Sequence, residues 1–175
     1  MVSVLFVDLG NICRSPMAEA IFKRVVRNRG LSEHFKIDSA GTAGYHVGQH
    51  ADRRVMELLE KKNLRVDHLG RKLAVEDMDA FTHIAVMDEE NFKFVHNMYH
   101  KYKHQPPTAG KLFLIRDFDP ETRGVQIVPD PFYESKEFFE DIYTILWRSC
   151  EGLLDHIIEQ HELREKEEEE ESEGS

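Results

Sequence analysis

Four short runs rich in β-branched and aromatic residues punctuate this chain: Ser3–Val7, Phe35–Ser39, His83–Met87 and Lys111–Ile115. Helical patterns lie between them, and that alternation predicts an α/β domain with a parallel sheet and right-handed crossovers. The first helix is expected from about Pro16 to Asn28, where Met17, Ile21 and Val25 make one apolar stripe. Ser15 before Pro16 reads as its cap and Gly30 as its stop. Further helices are expected over Ala51–Lys62, Ala74–Phe81 and Glu89–Tyr102, and from Ser135 onward, where Phe138, Ile142, Ile145, Leu146, Leu153 and Ile157 recur at helical spacing. In parallel sheets ligands bind beyond the carboxyl ends of the strands, so the residues after Val7, Ser39, Met87 and Ile115 are the first candidates for a site.

With 175 residues, one core-forming domain is expected, spanning 1–161. Residues 162–175 hold eight Glu against Arg164 and Lys166 and read as an acidic, disordered tail. Two cysteines, Cys13 and Cys150, make neither a disulfide framework nor a four-cysteine zinc site. The N-terminus lacks a signal-peptide layout, and no apolar run approaches the ~20 residues of a membrane helix. A reducing, cytoplasmic setting without membrane partners is therefore expected. The net charge of −10 argues against nucleic acid as a partner.

After the first strand the chain reads Asp8-Leu9-Gly10-Asn11-Ile12-Cys13-Arg14-Ser15-Pro16. A tight loop between strand and helix turns several amides toward one point, at the positive end of a helix dipole; that is a cradle for phosphate. Gly10 and Asn11 tolerate the unusual backbone this requires, and Arg14 adds a fork of donors matched to two phosphate oxygens.

This segment, from Val4 through Ala20, resembles the phosphate loop of the low-molecular-weight protein tyrosine phosphatases. Asp38-Ser39-Ala40-Gly41-Thr42, Met87-Asp88-Glu89-Glu90-Asn91 and Asp130-Pro131-Phe132-Tyr133 resemble further motifs of that family, in the same order. The resemblance implies a three-layer sandwich around a four-stranded parallel sheet, with no metal or organic cofactor. It also implies phosphotyrosine proteins, small aryl phosphates or simple oxyanions as partners. Residues Leu9 to Ser15 would bind phosphate, Arg14 would hold the transferring group, and Asp130 would be the general acid and base. Asn11, Ser15, Ser39, His68 and Asp88 would brace the loop. Tyr45 and Phe132 would wall the pocket, with Phe132 where many members have Tyr. Ile12 matches tyrosine-directed members, whereas phosphoarginine-directed relatives typically have Thr.

One position departs from the pattern. The family's nucleophilic cysteine stands five residues before the arginine, and here that place is Asp8. The leading expectation is a protein with turnover abolished or strongly reduced, in which Asp8 folds into the cradle and competes with incoming phosphate. The alternatives are an active phosphatase using Asp8 through an acyl phosphate, a Mg²⁺ site shared by Asp8 and Asp88, and a non-enzymatic interaction module.

Other features carry less. His96, His100 and His104 share a helical spacing and read as a solvated face rather than a metal site. Cys13 is expected as a free thiol or packing residue, and Cys150 as buried and inert. Tyr133 matches a tyrosine that is phosphorylated in some family members.

Overall fold

The computed structural model describes residues 1–164. Its four parallel strands are β1 (Val2–Asp8), β2 (Phe35–Gly41), β3 (His83–Val86) and β4 (Leu112–Leu114), in the order β2-β1-β3-β4. The helices are α1 (Arg14–Asn28), α2 (Arg53–Lys61), α3 (Asp77–Ala80), α4 (Glu89–Lys103) and α5 (Lys136–His161).

β1 is buried on both faces, which is why its middle, residues 4–7, reads as an unbroken apolar run. Val2, Val4 and Phe6 join the core formed with α1, α2 and α5, while Leu5 and Val7 join the core with α3 and α4. The sheet is thus the middle of three layers. β1 pairs with β2 on one side and β3 on the other, so the connections leaving β1 and β3 part at their carboxyl ends. Asp8 ends the first of these strands, and Asp88 follows the second.

Three expectations need correction. The helix over Ala74–Phe81 contracts to the single turn of α3, because the Asp77, Met78 and Asp79 amides bond to the Ala74, Val75 and Glu76 carbonyls three residues back, so the preceding residues form turns rather than α-helix. Ser15 does not cap α1. The N-cap position is Cys13, without a side-chain hydrogen bond, and Ser15 lies inside the first turn. The domain's packing also runs past 161: Glu162 turns left-handed, the Leu163 amide donates to the Ile158 carbonyl at 3.0 Å, and Leu163 packs on the core. The rest of the acidic tail, 165–175, lies outside the described residues. Gly30, at φ 68°, closes α1 as expected, with the Leu31 amide reaching back to the Val26 carbonyl.

Candidate active site

The loop from Leu9 to Cys13 is seated by three backbone bonds from two segments. Thr42 and Ala43 donate to the carbonyls of Asp8 and Leu9, each at 2.9 Å, and Asp52 donates to that of Ile12 at 2.8 Å. A Cβ on Gly41 would lie 2.7 Å from the Leu9 carbonyl, so only glycine lets the end of β2 lie this close under the loop. Asn11 adopts φ 58°, the left-handed geometry that Asn tolerates.

The Asn11 side chain is saturated. Its Nδ2 donates to the hydroxyls of Ser15 and Ser39 at 2.8 and 3.0 Å. Its Oδ1 accepts the Arg71 amide at 3.0 Å and a hydrogen from His68 Nε2 at 2.6 Å. Ser39 in turn donates to Glu19 at 2.8 Å. His68 Nδ1 lies 3.3 Å from Asp38 and 3.4 Å from Glu19. Burial pushes the Asp38 carboxyl up, but hydrogen bonds from His68 and the Ser39 amide, with the Arg71 charge, outweigh it and hold the pKa at about 2. Glu19, Asp38 and His68 each bring one donor atom within 4.8 Å of the others, a spacing a metal would fit. Those atoms are already engaged in bracing the loop.

Asp8 points into its own loop. Its Oδ1 accepts the Asn11 amide at 2.7 Å and its Oδ2 the Ser15 amide at 3.0 Å. Of the amides expected to face phosphate, those of Asn11 and Ser15 are therefore spent on Asp8. Among the described residues, no acceptor takes the Gly10, Ile12 or Cys13 amide. Burial raises the Asp8 carboxyl above its ordinary range, against the opposing pull of Arg14 and the bonds from Ser15 and Asn11. Cys13 is buried, and burial together with the charges of Asp52, Asp8 and Asp130 drives its thiol pKa up, so it stays protonated and packs.

Arg14 is buried and held on two sides, donating to Asp88 at 2.7 Å and to the Val128 carbonyl at 2.9 Å. Its other terminal nitrogen stands 3.7 Å from Asp130, which is half-exposed at the mouth. The second Asp88 oxygen caps α4 through the Asn91 amide at 2.9 Å, reciprocated by the Asn91 side chain. With both oxygens committed and a guanidinium beside it, Asp88 is an anchor for Arg14 and not half of a Mg²⁺ site.

Above the loop opens a cleft of about 170 Å³ lined by Asp8, Ile12, Arg14, Tyr45, Asp130 and Phe132 among others. Sequence reasoning missed His46, whose ring is 6.2 Å from that of Phe132 on the rim. It also missed Arg54, which donates to the Phe132 carbonyl at 2.7 Å and stacks on Phe139. Glu19 and Asp38 lay inside quoted motifs without an assigned role. His96 stacks on Phe92 and its ring lies 4.7 Å from that of His100, whereas His104 sits beyond the end of α4, so only two of the three helical histidines meet.

A parallel α/β sandwich with a strand-to-helix loop of inward amides, a buried arginine and an acid at the mouth defines a protein of the phosphatase type in fold and site layout. Residues 3–168 match the family described as low molecular weight phosphotyrosine protein phosphatase, and the chain belongs to it. The human low molecular weight phosphotyrosine protein phosphatase is 35% identical, covering 87% of this chain and 94% of its own length. The Schizosaccharomyces pombe protein of that description is 42% identical over 89% of this chain and 97% of its own. A crystal structure of a protein tyrosine phosphatase from Entamoeba histolytica, with Hepes in the active site, has a TM-score of 0.83 and 36% identity, covering 93% of this chain and all of that one. The Drosophila arginine phosphatase structure has a TM-score of 0.81 and 34% identity, covering 88% and 96%.

Proposed function

We propose that this chain is a pseudophosphatase, a member of the family that binds phosphotyrosine-bearing proteins or simple oxyanions weakly and turns them over little or not at all. The observation that carries this reading is the Asp8 carboxylate, seated against the Asn11 and Ser15 amides at 2.7 and 3.0 Å. A carboxylate in that seat acts as an internal competitor: it uses donors a phosphoryl group needs and repels its charge. Its two oxygens are also hydrogen-bonded, which blunts nucleophilic attack on phosphorus. The remaining amides, Arg14 and Asp130 support residual binding, and Ile12 with the aromatic walls Tyr45 and Phe132 favours an aryl phosphate over phosphoarginine. The two free, buried thiols fit a reducing compartment such as the cytoplasm. Among the described residues, no helix is long and apolar enough to cross a membrane.

Asp8→Cys is the direct test. With Arg14 and Asp130 in place, hydrolysis of an aryl phosphate should rise at least ~100-fold, within the range those two functions supply elsewhere. No gain would mean that more than the nucleophile is missing. If the unaltered chain instead turns substrate over through a hydroxylamine-sensitive phosphorylated species, Asp8 is a working nucleophile and the reading fails.

A further inference from the structure

A second hollow, of about 1210 Å³, lies between α1 and the chain that follows α2. Its walls carry Lys23, Arg24, Arg27 and Arg65 against the carboxylates of Glu60 and Asp67, over an apolar floor that includes Met56 and Leu64. Lys23 is paired with Glu19 at 2.8 Å, and Arg65 with Asp67 at 3.9 Å in an exposed pair that water weakens. Arg24 donates to the Asn63 carbonyl at 2.7 Å. Among the described residues, neither Arg24 nor Arg27 has a carboxylate partner. The groove is thus cationic, with an apolar base: the chemistry that receives an extended acidic peptide.

The chain carries such a peptide. Glu165 to Glu173 holds seven Glu and one Lys. Asp155 of α5 pairs at 2.9 Å with Arg29, which lies just past the end of α1 and two residues from Arg27. From Asp155 to the end of α5 is about 9 Å of helix, and nine extended residues reach roughly 30 Å. The left-handed turn at Glu162 takes the chain off the helix axis before this segment begins. Tethering also gives the segment an effective concentration near ~1 mM, so ion pairs of small individual worth suffice.

We propose that the groove between α1 and Leu64–Leu69 is a docking surface for acidic peptide, and that its resident occupant is the chain's own Glu165–Glu173 segment. The groove's wall carries Asp67 and Leu69, the neighbours of the loop-bracing His68. An acidic partner reaches the groove only by displacing it.

The test is a spin label on the full chain at Ser175→Cys, read as paramagnetic broadening of backbone amide signals. Cys13 and Cys150 are buried and spare the labelling. At about 20 mM salt the amides of Lys23–Arg27 and Asn63–Leu69 should lose half or more of their intensity, and recover it at about 0.5 M, where charges are screened within a few ångströms. The exposed double variant Arg27→Glu, Arg65→Glu should abolish the loss at low salt. Intact signals at low salt, or equal broadening in salt and in the variant, overturn the proposal. Broadening of isotope-labelled, spin-free chain by unlabelled spin-bearing chain places the segment in a second copy and overturns it as well. Should the variant fail to fold, the salt titration of the parent chain decides alone.

Discussion

Asp8 caps the helix that its own loop leads into: its Oδ2 accepts the amide of Ser15, seven residues later, at 3.0 Å. A free amide of the first turn of α1 is satisfied, at the expense of a buried carboxylate in a phosphate cradle. The two roles conflict, and the conflict sets what substitutions here should do.

Asp8→Ala frees the Asn11 and Ser15 amides and removes the charge that repels a bound anion. Two unit charges about 4 Å apart repel by roughly 4 kcal/mol at an effective dielectric of 20. Even a third of that is about tenfold in affinity. Inorganic phosphate should therefore bind Asp8→Ala at least ~10-fold tighter than the parent chain by calorimetric titration. Equal or weaker binding would show that Asp8 does not compete with phosphate.

Asn11 is the hub of the loop, and its two contributions separate by substitution. Asn11→Ala strands the partners of four side-chain hydrogen bonds and strains a left-handed backbone; Asn11→Gly strands the same partners but relieves the backbone. Denaturant unfolding should give a loss on the order of 2–4 kcal/mol for Ala and about 1 kcal/mol less for Gly. A loss below about 1 kcal/mol in both would remove the network from the account of loop rigidity.

The sheet, the loop and most of α1, α2, α4 and α5 were legible in the sequence because each rests on local periodicity or on one contiguous motif. The bracing network was not. Asn11 meets Ser39, His68 and Arg71 across 28, 57 and 60 residues, and no spacing rule links those positions. Ser15 was misread for a related reason. A Ser before Pro is a sound local cap signal, but the fold brings Asp8 to that amide and leaves the Ser15 hydroxyl to Asn11. At α3 the cause is local instead: the Asp77, Met78 and Asp79 amides bond three residues back, which leaves one turn of α-helix where a longer one was expected.

Asp38 makes acid stability depend on the bracing network. Its folded pKa of about 2 lies below the ordinary carboxylate value, so its contribution is complete above about pH 5 and is lost as pH falls toward 2. Discounted for partial exposure, it is on the order of 1–2 kcal/mol. The stability gap between the parent chain and Asp38→Asn should be largest at neutral pH and close between about pH 5 and 2. A gap independent of pH would mean that the carboxylate acts by shape rather than by charge.

A second pH dependence has the opposite chemistry and a higher window. His83, buried at the start of β3, faces the Gly110 carbonyl through Nδ1 at 3.3 Å and His161 Nε2 through its own Nε2 at 3.0 Å. Nδ1 of the neutral His83 ring therefore carries the hydrogen, and its Nε2 accepts from His161 Nε2, the last residue of α5. Burial depresses the His83 pKa, opposed by the Gly110 bond and helped by the nearby His161, His156 and Lys111. An unfolded chain then binds more protons than the folded one just below pH ~6.5, so stability is full above that value and falls as pH drops beneath it. Lowering pH from about 7.5 to 5.5 should lower the Tm of the parent chain and fray the end of α5, seen as faster amide exchange at Ile158–His161. In His83→Phe, which keeps an aromatic ring beside Phe113, the pH-dependent part of that fall should be absent. An equal fall in both proteins would assign it to other groups.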